Sequence, residues 1–387
     1  MRVLLLTPYA PDLSQPHAAA DTIARLVPRL AEKTDLFVYS PQHRSATAAA
    51  SAGERNYTLV ESTVQAGPGR LDRFGRRPGW LRQAWPLRAT REAVELISRL
   101  RPDVVHAEYL QSAEALADRR NSVLGLHDIT ENVMRESYRA AAGGVERAYR
   151  LAELRRTSLF ERAAIRRAGA VLTLADADFA VASRYNPNVV LARPGVDLGS
   201  VCWAPPTDLR RPRLVFAGAM WRRANVLVAQ HLAREVMPIV WQTLPAAELR
   251  IVGAQPPPDV LALADRDSRF VVTGTVPDLR TEMLAAHAVV VPSIVGGGVL
   301  MKVVHAMALG CPVITSPGPA ASVRGDATNL FVASTPEQIA AAVATAVGSP
   351  DEAVARGHRA RAHIARLFRW DDTVLRYLDA YEIASAR

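Results

Sequence analysis

The stretch Pro292-Ser-Ile-Val-Gly296-Gly-Gly298-Val-Leu-Met-Lys302-Val-Val-His305-Ala-Met-Ala-Leu-Gly310-Cys-Pro312-Val-Ile314 reads as strand, glycine loop, helix, and then Gly-x-Pro returning to another strand. Three glycines let a backbone approach a ligand closely, and the N-terminus of the helix that follows offers unpaired N–H groups and a positive dipole to an anion. Lys302 falls in the first turn of that helix, where a cation is disfavoured unless an anion is bound nearby. Lys33 and Lys302 are the only lysines among 47 basic residues, so Lys302 is a candidate phosphate ligand. The competing reading is a glycine turn followed by a solvated lysine.

Outward from this run, strand and helix alternate. Val3–Leu6, Val104–Val105, Ala170–Leu174, Leu214–Phe216, Leu249–Val252, Val289–Val291 and Val313–Ile314 are apolar without alternation, as in parallel strands buried on both faces. Ile23–Leu30, Val226–Val240 and Ile339–Val347 carry apolar residues at helical spacing. The series runs twice, with a Pro- and Arg-rich break at 198–212 that reads as a linker. The fold class expected is therefore α/β with two doubly wound parallel sheets, in which ligands bind at the carboxyl ends of strands. A length of 387 residues suits two domains.

Composition excludes several classes. An apolar fraction of 49% with 22% charged residues excludes disorder and collagen-like repeats. Cys202 and Cys311 cannot build a disulfide framework, and no Cys/His spacing resembles a zinc site. The apolar start is too short for a signal peptide, and the stretch 285–314 is too broken for a membrane span. A cytosolic protein is expected. The net charge of +9 is weak support for a nucleic-acid partner, and no such partner is expected. Segment 66–101 concentrates nine arginines among Phe74, Trp80 and Trp85. It reads as a solvated face, as an acceptor loop for an anionic substrate, or as peripheral contact with an anionic inner membrane face. A second group, Arg210, Arg211, Arg213, Arg222 and Arg223, leads into the second series of strands. Residues 41–85 show little periodicity and are expected as long loops.

The run 292–314 resembles the signature of family 4 retaining glycosyltransferases, which have the GT-B fold of two facing Rossmann-like domains. It is most similar to the branch whose glycine-rich loop reads Gly-Ser-Gly-Thr-Arg-Leu-Lys. Phe216-Ala-Gly218-Ala-Met220-Trp-Arg-Arg223-Ala-Asn225, Arg250-Ile-Val-Gly253 and Thr273-Gly-Thr-Val276-Pro-Asp278 match further elements of that branch. So do Leu126-His127-Asp128-Ile-Thr-Glu131, Phe160-Glu161-Arg162, Val171–Asp178 and Pro194-Gly195-Val-Asp197 in the first half.

The resemblance implies transfer of a sugar from a nucleotide-diphosphate donor to a small-molecule or lipid-linked acceptor, with retention and no cofactor or metal. It implies an acceptor-binding domain at 1–200, joined by a crossover helix at 370–387, and a donor-binding domain at 201–369. His127 and Lys302 would be catalytic. Donor contacts would come from Gly218, Arg222, Arg223, Asn225, Thr275, Val276, Gly296, Gly297, Gly298, Val299 and His305, and acceptor contacts from His17, Ala18, Ala19 and Asp21. Natural-product or cell-envelope glycosylation is the setting implied.

The chain also departs from the family. The paired glutamates fall at Gly297 and His305, and the Thr-Arg pair at Val299-Leu300. The first donor-loop arginine and lysine fall at Ala219 and Ala224, and the paired glycines of the acceptor loop at Ala18 and Ala19. A carboxylate holds two ribose hydroxyls where a neutral imidazole accepts from one. Two expectations follow: a donor sugar poor in hydroxyls, or a GT-B relative that has lost donor chemistry and serves as a partner. A dehydrogenase is disfavoured because no strand is followed by Gly-x-Gly-x-x-Gly. Asp176 and Asp178 are expected as helix caps.

Overall fold

Short branched-apolar runs pair into two all-parallel sheets in a computed structural model, which describes residues 1–12, 18–41, 56–64, 77–293 and 299–386. The chain divides into two compact units, Met1–Pro194 with Trp370–Arg387, and Gly195–Arg369.

The first unit contains β1 (Arg2–Leu6), β2 (Asp35–Tyr39), β3 (Thr58–Val60), β4 (Val104–Glu108), β5 (Ser122–Leu126), β6 (Ala170–Thr173) and β7 (Val189–Leu191). Their order across the sheet is β3-β2-β1-β4-β5-β6-β7. Side chains alternate across a strand, so β1 feeds two cores. Val3 and Leu5 point to one, with Ile23, Leu26, Tyr377 and Tyr381, whereas Leu4 and Leu6 point to the other, with Trp85, Leu96 and Leu124. That is why the strand reads as an unbroken apolar run. The helix Trp370–Ser385 packs within this unit, where Thr373 Oγ1 donates to the Arg193 carbonyl at 2.6 Å.

The second unit contains β8 (Arg213–Ala217), β9 (Glu248–Val252), β10 (Phe270–Gly274), β11 (Ala288–Val291), β12 (Val313–Thr315) and β13 (Phe331–Val332), ordered β10-β9-β8-β11-β12-β13. β8 repeats the logic of β1: Leu214 and Phe216 enter one core, Val215 and Ala217 the other.

Three expectations change. The stretch 198–212 is no free linker. Trp203 is buried, its indole donates to the Ala286 carbonyl at 2.7 Å, and Arg361 holds the carbonyls of Leu198 and Gly199 at 3.0 and 2.7 Å. Residues 41–85 are not all loop, since they contain β3 and the helix Gly79–Ala84. Trp80 and Trp85, two of the three aromatics of 66–101, turn inward rather than out to solvent. Trp85 is fully buried edge-on to Tyr39, and Trp80 packs on the same core with its indole donating to Thr157. Phe74 lies outside the described residues. Among the described residues, no helix is long and apolar enough to cross a membrane.

Candidate functional site

In the second unit the strand ends make close backbone contact. Gly218 N donates to the Val252 carbonyl at 2.8 Å, and Gly253 N to the Gly274 carbonyl at 3.0 Å. A Cβ on residue 253 would sit 1.8 Å from the Gly218 oxygen, so only glycine fits. Gly253→Ala is therefore expected to cost the second unit about 1–3 kcal/mol. Denaturant unfolding checks this, and an unchanged midpoint would refute the packing argument.

The loop after β8 leads into the helix Arg223–His231, and the described end of the glycine loop leads into the helix Met301–Ala308. Lys302, in the first turn of the second helix, donates from Nζ to Asn225 Oδ1 in the first turn of the other, at 2.8 Å. Asn225 Nδ2 in turn donates to the Ala219 carbonyl at 2.8 Å. Two helix N-termini are thus tied together by a lysine. Its ammonium also lies 4.6 Å from the centre of the Phe216 ring. Burial, and secondarily the charge of Arg222, push Lys302 down to about 7. A cation this poorly compensated, at two positive dipole ends, is a site that an anion would relieve.

Of the other donor candidates, Arg222 and Arg223 are exposed at the helix start, and the Arg222 guanidinium lies 5.9 Å from the Trp221 ring centre. Thr275 and Val276 follow directly on β10, with Thr275 exposed and Val276 packed on the core. His305 lies one helical turn beyond Lys302 and is half-buried, and Val299 packs partly on the core. Gly296, Gly297 and Gly298 lie outside the described residues, as does His17. Ala18 and Ala19 open the helix Ala18–Ala31, in which Asp21 accepts from Arg25 Nε at 3.0 Å.

In the first unit His127 follows β5. Its Nε2 lies 2.6 Å from Glu108 Oε1, and its ring stacks on Tyr109 with centroids 3.7 Å apart. Glu108 ends β4 and is fully buried. His106 Nε2 lies 2.7 Å from its other oxygen, a charge contact poorly angled for a hydrogen bond, and Tyr377 Oη donates to Oε1 at 3.0 Å. Tyr381 Oη lies 2.8 Å from His106 Nδ1. Burial alone would raise the Glu108 carboxyl, but His106 and His127, by contact and by charge, hold it well below the usual carboxylate range. Gly125 leaves it room: a Cβ there would lie 2.5 Å from Oε2.

Tyr109 holds φ 73° and ψ 145°, a region sparsely populated outside glycine that costs about 1–3 kcal/mol. Ser112 Oγ, at 3.0–3.1 Å from the carbonyls of Leu6, Glu108 and Tyr109, braces the turn. Sequence reasoning passed over Glu108, Tyr109, Tyr377 and Tyr381. The available signal was His106 and Glu108, two residues apart on one face of an otherwise apolar strand.

The residues after His127 build a support. Glu161 accepts from the N–H groups of Thr130 and Glu131 at 2.7 and 2.8 Å, capping the helix Thr130–Arg139. Arg162 pairs with Glu131 at 2.8 Å. Asp176 and Asp178 do not cap their own helix, whose N-cap is Ala175 without a side-chain bond. Asp176 pairs with Arg193 at 2.6 Å, and Asp178 is buried against the Ile129 N–H. Among the described residues no group of three or more His, Cys, Asp or Glu side chains could hold a metal ion.

Residues 211–349 match the family model described as Glycosyl transferases group 1. The whole chain has the GT-B fold of solved glycosyltransferases. A sucrose-phosphate synthase from Thermosynechococcus elongatus aligns at a TM-score of 0.74 and 18% identity, covering 99% of this chain and 98% of that one. WaaG, a glycosyltransferase involved in lipopolysaccharide biosynthesis, aligns at 0.67 and 15%, covering 99% and 98%. Anabaena HepE in complex with UDP-glucose aligns at 0.68 and 14%, covering 100% and 99%. No curated protein matches in sequence. Family match and fold together support a glycosyltransferase.

Proposed function

We propose that this chain transfers a sugar from a nucleotide-diphosphate donor to an acceptor with retention at the anomeric carbon, as in the family 4 branch it resembles. The observation that carries the reading is Lys302, poorly compensated where two helix N-termini meet. Cleaving the donor's glycosidic bond develops negative charge on the departing diphosphate, and fixed cations and N–H donors there lower the barrier. Lys302 supplies the central charge, with Arg222 and Arg223 at the rim; by the resemblance, the amides of Gly296, Gly297, Gly298 and Val299 add N–H donors to the phosphates. Asn225 orients the ammonium. Thr275 and Val276 meet the nucleobase, and His305 accepts one ribose hydroxyl.

In this reading Gly195–Arg369 holds the donor, and the first unit holds the acceptor through His17 and through Ala18, Ala19 and Asp21 in the first turn of the helix Ala18–Ala31. His127 contacts the transferred sugar. No cofactor is invoked beyond the donor. The crystallised complex of HepE with UDP-glucose supports a nucleotide-sugar donor. Natural-product or cell-envelope glycosylation in the cytoplasm is the setting proposed, with the acceptor a small molecule or a lipid-linked sugar.

Val299 and Leu300, where the branch has Thr and Arg, leave fewer polar partners for the sugar, and a deoxy sugar fits this best. A panel of UDP-glucose, GDP-mannose and dTDP-rhamnose tests both points, preceded by calorimetry with UDP, GDP and dTDP. Fastest turnover with a fully hydroxylated hexose would refute the deoxy preference. Failure to bind any of the three nucleotides would refute donor binding and favour a GT-B relative without donor chemistry.

A further inference from the structure

His127 is clamped on two sides by groups that the proposed transfer has not used. On one edge its Nε2 meets the Glu108 carboxylate at 2.6 Å, and on one face it stacks on Tyr109. The carboxylate is fully buried, whereas 17% of the His127 side chain is exposed. The site therefore has a closed back and an open front.

The proton positions follow from the donor inventory. An ionised carboxylate only accepts, so both Tyr377 Oη and His127 Nε2 donate to Glu108 Oε1. On the far side the short contact to His106 Nε2 needs a proton on that nitrogen, and His106 Nδ1 then accepts from Tyr381 Oη. In the neutral ring of His127 this leaves Nδ1 without a proton, an acceptor held in a fixed orientation. Behind it lies a buried negative charge approached by His127, Tyr377 and His106.

We propose that Glu108 is the positioning residue of this site: through Nε2 it sets the tautomer and orientation of His127, so that Nδ1 is presented to a hydroxyl of the bound sugar. Tyr109 locks the ring plane, and its unusual backbone is the cost of placing it there. The buried charge also favours positive charge developing near His127, as the anomeric carbon acquires when the diphosphate departs. Tyr377, directly, and Tyr381, through His106, tie the helix Trp370–Ser385 to the same carboxylate. This inference rests on the transferase reading for its substrate but not for its geometry.

The test uses the full chain with ¹⁵N-labelled histidine. In the wild type, His127 is expected as the Nε2–H tautomer with a strongly downfield ring proton. Glu108→Gln should move that proton upfield. Tyr377→Phe keeps charge and shape, removes a competing donor, and should move it further downfield. An Nδ1–H tautomer in the wild type, or a proton unmoved by either variant, would overturn the proposal.

With the best donor of the panel, Glu108→Gln should lower kcat by about 10–100-fold, as loss of an outer-shell partner that orients a histidine does at metal sites, while the donor KM stays within about twofold. In a His127→Ala background the same change should have no further effect. An unchanged kcat in the single variant, or full additivity in the double, overturns the role in transfer. If the wild type turns over no donor, the transferase reading fails, and the ring-proton measurements still decide the Glu108–His127 pair.

Discussion

Lys302→Ala is expected to weaken binding of the cognate nucleoside diphosphate by on the order of 10–100-fold, the loss of one charge-assisted contact. The wild type should also show a pH signature that the variant lacks. In the empty protein, burial and then Arg222 bring Lys302 down to about 7. A bound diphosphate favours the ammonium, so binding above pH 7 must carry a proton in. The sign follows from linkage: affinity is flat below about 7 and falls about tenfold for each pH unit above it. At pH 8 close to one proton should be taken up per nucleotide, and few at pH 6. Calorimetry in buffers of different ionisation enthalpy measures this directly. Equal affinity of Lys302→Ala and wild type, or no proton uptake at pH 8, would remove Lys302 from the phosphate site.

The second large effect concerns stability. The first unit should be more stable at pH 5 than at pH 8, opposite to the usual behaviour of salt-bridged carboxylates. Glu161 is raised from 4.5 to about 7, first by burial and then by Asp128 and Glu131 against its two backbone bonds. Asp178 is raised from 3.8 to about 7, first by burial and then by Asp128. A raised acid binds more protons folded than unfolded, so its contribution is present at low pH and is lost as pH climbs from about 4 to about 7. Glu108, Glu131 and Glu92 are shifted the other way, so their contributions are lost only on acidification below the normal carboxylate range.

Asp178→Asn isolates one of the two raised groups. Asp178 accepts from the Ile129 N–H, and its second oxygen is buried without a hydrogen-bond partner. An amide keeps the acceptor and carries no charge. The variant should gain about 3–4 kcal/mol at pH 8, from about three pH units at about 1.36 kcal/mol each, and much less at pH 5. Hydrogen exchange of the β4–β6 amides at both pH values reads the first unit separately. A variant no more protected than wild type at pH 8 would show that burial does not raise the Asp178 carboxyl.

The residues just discussed also mark how far sequence reading reached. The strands of both sheets that are branched, apolar and buried on two faces were legible, since no other structure suits such runs. β2, β3, β7 and β13 were not anticipated: β2 opens on Asp35, the other three are short, and partner strands rather than composition hold them. Lys302 was legible because a lysine is rare in this chain and follows a glycine loop. Its attachment to Asn225 was not, since 77 residues separate the pair. Trp80 and Trp85 were misread because arginines surround them in sequence, whereas in the fold they reach Thr157, Thr90 and Tyr39.

By itself, then, the sequence determined two wound parallel sheets and an anion-seeking lysine at a helix start, because periodicity and residue chemistry act locally. Only the tertiary structure decided that Glu108, 19 residues from His127 and 269 from Tyr377, is where three elements meet. A buried carboxylate is tolerable only where its donors converge, and convergence is a property of packing rather than of spacing along the chain.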